Sequence, residues 1–472
     1  MELGRRDFLA VSVMAGAAAA TANRSVMAAA GGGMAAFAAP AIRELRVAFV
    51  GLGMRGPGAV HRMAKLPGVK ITHLCDFFKD RAEKQNAWLK KNGKPGAKLH
   101  WGKEGWKEML DADDIDLVYN ATPWDLHTPI AVAAMQHGKH VAVEVPAALT
   151  IEDCWRLVKT SEATSRHCMM LENCCYGEVE MIALKMAREG MFGEIVHGEG
   201  AYIHDLRSLN YADLNQGGYY DHWRLRHDMV HTGNPYPTHG LGPICQAMNI
   251  NRGDVMEYLV SVSSRQAGMS EYANARFPKT WKADSKPELG DMNTTVIGTA
   301  LGRTIMIQHD VTSPRPYSRI NLISGTRGIL ADYPFRVALD PNHRGAHGWM
   351  GQKELDKLAA DMRHPLWKTA GEIAKRIGGH GGMDFLMDLR LCYCLQNGLP
   401  LDQNVYDAAA WSSLCELTEK SARNRGASQD IPDFTSGAWR TTEPLGIVDV
   451  DLAKMGFKVD QNVKKDDAQL SV

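Results

Sequence analysis

Between residues 45 and 172, short apolar runs alternate with longer segments whose apolar positions recur at helical spacing. Val47–Val50, Val69–Cys75, Ile115–Asn120, His140–Glu144 and Met169–Glu172 read as buried strands, whereas Lys79–Asn92 and Trp106–Ala112 read as helices, with two further helices opening near Pro129 and Thr150. Such alternation predicts right-handed crossovers and a doubly wound parallel sheet. Past Glu172 the pattern changes. Val179–Glu189 is helical, Gly193–Val196 begins a strand, and the alternating runs Asn293–Leu301 and Thr304–Val311 pair as a hairpin around Leu301-Gly302-Arg303. A helix over Gly382–Gln396 is placed to return toward the first domain, and from Gly426 Pro, Gly, Asp and Lys dominate. The expected fold is α/β: a parallel-sheet domain over residues 43–172, an α+β domain with a mostly antiparallel sheet over 173–425, and an irregular tail over 426–472.

In an open parallel sheet, ligands bind at the carboxyl ends of the strands. Those ends are Gly51, Asp76, Ala121 to Trp124, and Glu144. The first carries Gly51-Leu52-Gly53-Met54-Arg55-Gly56, a G-x-G-x-x-G run between strand and helix. Gly51 permits the tight turn, Gly53 lets the backbone approach a pyrophosphate, and Gly56 lets the helix pack on the sheet. Asp76 ends the second strand twenty residues after Gly56. A carboxylate there accepts from the ribose hydroxyls and repels a 2′-phosphate, so a Rossmann domain binding NAD in preference to NADP is expected. A lone glycine run would be an ordinary turn; the flanking strand, helix and acid decide against that.

Charge narrows the partner. The 472 residues carry 54 basic and 54 acidic side chains, with no basic block interleaved with aromatics, so a small molecule is expected and nucleic acid is not. Residues 1–40 read as a targeting segment, in which Arg5-Arg6-Asp7-Phe8-Leu9 resembles the twin-arginine signal that exports folded, cofactor-loaded proteins. The expected location is periplasmic or extracytoplasmic. Asn23-Arg24-Ser25 interrupts the apolar stretch, so no membrane insertion after export is expected. The nine cysteines are scattered without a C-x-x-C pair, and no metal site is expected.

Candidate chemistry lies in several loops. His239 and Tyr236, three apart in Gly233-Asn234-Pro235-Tyr236-Pro237-Thr238-His239-Gly240, can share one wall as proton acceptor and phenol, or can be a helix-start residue and a packing aromatic. Tyr317 follows a strand and can reach over a ligand, or is a loop aromatic. Arg224 is a clamp for a ligand hydroxyl, or a surface ion pair; Tyr176 is a similar case. Glu144 is a ligand to cofactor or substrate, whereas His127 can equally cap the next helix. The stretches His197–His204 and His343–His347 read as solvated loops.

The glycine run, Ala121-Thr122-Pro123-Trp124 with His127, the Glu144-Val145-Pro146 turn and His380-Gly381-Gly382-Met383-Asp384-Phe385 together resemble the glucose–fructose oxidoreductase and inositol dehydrogenase superfamily (Gfo/Idh/MocA) over roughly residues 43–425. Most dehydrogenases of that superfamily carry Glu-Lys-Pro where Glu144-Val145-Pro146 stands, and Val145 cannot do the lysine's work. Glu172-Asn173-Cys174-Cys175-Tyr176 and the long Gly233–Pro243 motif are similar to the NAD-dependent α-N-acetylgalactosaminidase type of glycoside hydrolase family 109. That resemblance implies NAD used catalytically: oxidation at sugar C3, deprotonation at C2, elimination, water addition and reduction, with no net redox. It further implies His239, Tyr236 and Tyr317 as catalytic groups, Tyr176, Arg224, Tyr236 and Tyr317 as contacts to a small-molecule or glycan substrate, and Thr122, Pro123, Trp124, His127, Glu144, Val145 and Asn173 beside the cofactor. The superfamily's antiparallel sheets commonly mediate dimers, so a homodimer is the expected assembly. The alternatives are an exported NAD-dependent sugar oxidoreductase, which Val145 disfavours, and a non-catalytic sugar- or nucleotide-binding module, which the Tyr236/His239 loop disfavours.

Overall fold

β1 (Leu45–Val50) is buried at every position except Arg46, as a strand covered on both faces must be. It pairs in parallel with β2 (Val69–Asp76) on one side and β4 (Leu117–Asn120) on the other. With β3 (Lys98–Trp101), β5 (His140–Val143) and β6 (Cys168–Met170) these form an all-parallel sheet in the order β3-β2-β1-β4-β5-β6. The chain leaves β1 for β2 on one side and returns to β4 on the other, which opens a crevice over the ends of β1 and β4. The two ends press together there: Gly51 has φ +87°, and a Cβ on it would lie 2.5 Å from the Ala121 carbonyl oxygen. The structure, a computed structural model, describes residues 33–457. Arg5, Arg6 and most of the expected targeting segment lie outside the described residues.

The second sheet has eight strands: β7 (Ile195–Ile203), β8 (Met256–Ser263), β9 (Asn293–Thr299), β10 (Thr304–Asp310), β11 (Leu322–Gly325), β12 (Gly328–Ala331), β13 (Arg336–Leu339) and β14 (Gln429–Asp430). Their order is β13-β12-β11-β7-β10-β9-β8-β14, and only β7 with β10 runs parallel. The expected hairpin is β9 and β10. The helices Glu178–Arg188 and Thr238–Ala247 pack together, and the second lies directly on β7. Where it crosses, no side chain fits: a Cβ on Gly200 would meet the Gly240 carbonyl oxygen at 2.2 Å, and one on Gly240 would meet the Ala201 nitrogen at 2.2 Å. The glycine after His239 is therefore what lets that helix start against the sheet.

Two expectations need correction. His197–His204 is not a solvated loop: it is most of the central strand β7, and its polar members alternate with buried Gly198, Gly200 and Tyr202. Second, the tail is not wholly irregular, since Gln429–Asp430 adds an edge strand to β8. β3 escaped the apolar pattern because it is an edge strand with Lys98 and Trp101 exposed. The helix expected over Gly382–Gln396 spans Met383–Asn397 and does return to the first domain, where Arg62 donates from Nε to Asp388 Oδ2 at 2.7 Å. Among the described residues, no helix is long and apolar enough to cross a membrane.

Candidate active site

The carboxyl ends of β1, β2, β4 and β5 open into one cleft of about 640 Å³, closed on its far side by residues of the second domain. Gly51, Gly53, Met54, Arg55, Asp76, Thr122, Pro123, Trp124, His127, Glu144, Val145 and Asn173 all line it; Leu52 and Gly56 lie behind. The three glycines divide their work as their positions require. A Cβ on Gly56 would collide with the Gly51 carbonyl oxygen at 2.0 Å, while one on Gly53 would meet only the tip of Arg81 at 3.3 Å. Gly51 and Gly56 thus shape the turn, and Gly53 leaves its backbone open to the cleft.

Asp76 is buried and accepts from the Leu52 amide at 2.6 Å and the Phe78 amide at 2.9 Å. A carboxylate offers about four lone-pair sites, so two remain for a diol. Arg81 approaches to 3.7 Å and, with Lys84, adds positive charge at this end. Trp124 donates from Nε1 to the Val145 carbonyl at 3.2 Å, tying the ends of β4 and β5 together. His127 does the same, with Nδ1 2.7 Å from the Pro146 carbonyl and Nε2 2.8 Å from the Thr122 carbonyl. Burial lowers its pKa while the two carbonyls favour the charged ring; a neutral ring donates to one of them only, but both nitrogens are turned to the main chain, so His127 shapes the wall. Arg55 bridges Glu144 at 3.2 Å and Asp384 at 3.1 Å. Asn173 also donates to Asp384, at 2.5 Å. Asp384 comes from the returning helix. Burial opposes its charge, but His380, Arg55 and Arg62 together hold it well below the usual carboxylate range.

At the other end of the cleft, His239 Nδ1 sits 2.8 and 3.0 Å from the two oxygens of Glu172. Glu172 is fully buried, which alone would raise its pKa; the charge and hydrogen bond of His239 overcome this and hold it below the ordinary value. An ionised carboxylate only accepts, so Nδ1 carries the proton that faces Glu172, and Nε2 is the ring nitrogen turned away from it. Gly242 makes room for this pair, since a Cβ there would lie 2.9 Å from Glu172 Cγ. Glu172 was not singled out from the sequence. It follows β6, and treating that strand's end like those of β1, β2, β4 and β5 would have found it.

Tyr236 stands edge-on to His239 with ring centroids 4.8 Å apart, flanked by Tyr202 at 4.7 Å and Trp124 at 5.9 Å. Burial, then Tyr202, pushes its pKa well up against the pull of Arg224, so the phenol stays protonated. Arg224 is no surface ion pair. It is buried, with its guanidinium 4.8 Å over Tyr236 and 5.0 Å over Trp124; its hydrogen bond is to the Tyr219 hydroxyl at 3.4 Å, and Nη2 has no partner. His204, at the end of β7, joins the wall through a 2.9 Å hydrogen bond to the Tyr202 hydroxyl.

Two expected contacts fall elsewhere. Tyr176 does not reach the cleft: it is buried, with its hydroxyl donating to Asp402 Oδ2 at 3.0 Å, because Asp402 is already held by Arg390 and offers an acceptor inside the core. Tyr317 lies beyond His204, at a ring separation of 5.1 Å, in an adjoining pocket with Arg319 and Asp332. Its hydroxyl accepts from Arg319 at 2.9 Å, which holds it at the rim. Glu172, Cys174 and His239 bring three potential metal donors within 4.8 Å. The carboxylate is spent on His239 and the Cys174 amide, and burial pushes the Cys174 thiol well up, so the set serves as a hydrogen-bonded dyad.

Residues 45–172 match the model of the oxidoreductase family with an NAD-binding Rossmann fold, and residues 176–441 match that of the glycosyl hydrolase 109 C-terminal domain. The chain is 50% identical over 403 residues to an alpha-N-acetylgalactosaminidase of Bacteroides fragilis, covering 85% of this chain and 94% of that one. It is 46% identical to a glycosyl hydrolase family 109 protein of Shewanella amazonensis, covering 95% and 99%. Among solved structures, levoglucosan dehydrogenase in complex with NADH shares the fold at 19% identity and a TM-score of 0.63, covering 82% and 99%.

Proposed function

The chain belongs to glycoside hydrolase family 109 and is an NAD-dependent glycoside hydrolase, and on that premise we propose that it releases terminal α-N-acetylgalactosamine, or a related sugar, by redox-assisted elimination. The observation that carries this reading is the Glu172–His239–Tyr236 set facing a dinucleotide cradle across one cleft. NAD held by the Gly51–Gly56 turn and Asp76 would supply a hydride acceptor for sugar C3 and a hydride donor for the closing reduction, so no net redox would result.

Nε2 of His239 accepts the proton from C2, which the neighbouring C3 ketone makes acidic. The electron pair left at C2 forms the C1–C2 double bond as the C1–O bond breaks, and the departing oxygen takes a proton. Water then adds at C1 and the proton returns to C2. Glu172 is a positioning residue that fixes the His239 tautomer and stabilises the charged ring. Tyr236, protonated, donates to a sugar oxygen, and the free Nη2 of Arg224 donates to a hydroxyl or the acetamide carbonyl. Val145 leaves no lysine at the β5 end for an ordinary dehydrogenase. A two-carboxylate pair is not required in such a cycle.

The test is p-nitrophenyl α-N-acetylgalactosaminide: nitrophenol released over many turnovers with no growth of the NADH band is expected, whereas NADH formed in step with product would make the chain an oxidoreductase. The same reading includes export by the twin-arginine route to a periplasmic or extracytoplasmic site, supported by Arg5-Arg6-Asp7-Phe8-Leu9. It also includes a homodimer, supported by Tyr258, Val260 and Val262 of β8 and Val296 of β9, all exposed.

A further inference from the structure

The cofactor end of the cleft has a wall that the strand ends do not supply. Residues 213–223 leave the second domain, run along the cleft and rejoin it; Leu214, Gly217, Tyr219, Tyr220 and Trp223 face the cavity with Asp76 and Arg81. Both ends of the segment are tethered to the second domain. The Asp213 carboxylate accepts from Lys282 Nζ at 2.8 Å and faces His222 Nε2 at 3.2 Å, and Arg226 donates from Nε to the Asp221 carbonyl at 2.8 Å. The chain folds back through Gly218, where a Cβ would collide with the Ala212 carbonyl oxygen at 1.9 Å, and through Asp221 and His222, both left-handed at φ 49° and 46°. That turn projects Tyr220 onto the first domain. Its ring lies 5.5 Å from Phe77 and 5.2 Å from Phe78, the residues immediately after Asp76. At the other end Trp223 packs edge-on to Trp124 at 4.9 Å. The segment thus rests on the first domain at both ends of the cleft, over the end of β2 and over that of β4.

We propose that residues 213–223 are a strap that locks the dinucleotide in place, with Tyr220 on Phe77 and Phe78 as its latch. Phe77 is 52% exposed and Tyr220 41% exposed, so little else holds the tip down and the latch can open to admit cofactor. A cycle that regenerates its cofactor at every turnover gains from slow release, and an outer wall that must lift before the adenosine end is freed provides it. The inference rests on NAD binding and not on which glycoside is cleaved.

The experiment is the rate of NADH release from the full-length protein, followed by the fluorescence drop when excess NAD displaces it. Tyr220→Ala and Phe77→Ala are each expected to release about three- to tenfold faster, the order of one aromatic contact, while Tyr220→Phe, which keeps the ring, stays near wild type. The double variant is expected to be no faster than the faster single, because both remove the same contact. Both side chains are on the surface, so unchanged melting of the loaded-free proteins accompanies the expected result. Release within about twofold of wild type in both alanine variants, or equal acceleration by Tyr220→Phe, would overturn the latch.

Discussion

At the cofactor end of the cleft each oxygen of Asp76 accepts from a main-chain amide, and Trp124 and His127 turn their ring nitrogens to main-chain carbonyls. At the sugar end Arg224 keeps a buried Nη2 without a partner and His239 has only Nδ1 engaged. Beneath the strap, the first region is a cradle whose strand ends are tied to one another before anything binds. The second holds unspent hydrogen-bonding capacity in a desolvated setting, where each group left unpaired costs about 1–3 kcal/mol until a ligand satisfies it. A cofactor that stays and a substrate that turns over call for that difference.

Substitutions that break the sugar end should leave the cradle intact. His239→Ala and Tyr236→Phe are each expected to lower glycosidase turnover at least about a hundredfold with NAD content unchanged, as measured by steady-state kinetics and by the nucleotide released on denaturation. Near-normal turnover in both would return them to packing. In the reverse direction, Asp76→Ala should weaken NAD by about tenfold to a hundredfold, since it removes an acceptor of charge-assisted bonds and leaves the Leu52 amide unpaired; titration of the stripped protein measures it. On the proposal that the guanidinium binds the sugar before and during reaction, Arg224→Gln should raise KM about tenfold with a smaller change in kcat; an unchanged KM would make it a packing residue.

The smallest effect tests the joint between the regions. Burial pushes the Asp388 carboxyl up to about 6 in spite of Arg62. In the unfolded chain it titrates near about 3.9. Between those values the folded state holds a proton that the unfolded state has released, so this group makes stability fall as pH rises through the window. Asp388→Asn should flatten that part of the melting-temperature profile relative to wild type; parallel profiles would contradict the shift.

Legibility followed the same division. The cradle is built from consecutive strand-end residues, so Gly51, Gly53, Asp76, Thr122 and Glu144 could be read from spacing once the strands were placed. The sugar end is assembled across distant segments. His239 meets Glu172 because the helix Thr238–Ala247 crosses β7 at Gly200, and nothing local in the sequence marks that crossing. Tyr176 shows the converse: it stands in a motif beside Glu172 and Asn173, yet its side chain turns into the core to reach Asp402. The strap residues Tyr219 and Tyr220 lie in a loop whose target, Phe77, is far away in the chain, so only the folded structure joins them.

The central claim is that the C2–H bond breaks in every turnover, with His239 as the base. Substrate deuterated at C2 and hydrolysed in ordinary water should give N-acetylgalactosamine carrying protium at C2, because the abstracted deuteron exchanges with solvent before it is returned. Complete retention of deuterium at C2 in the hydrolysed sugar would show that C1 is displaced directly and would contradict the account.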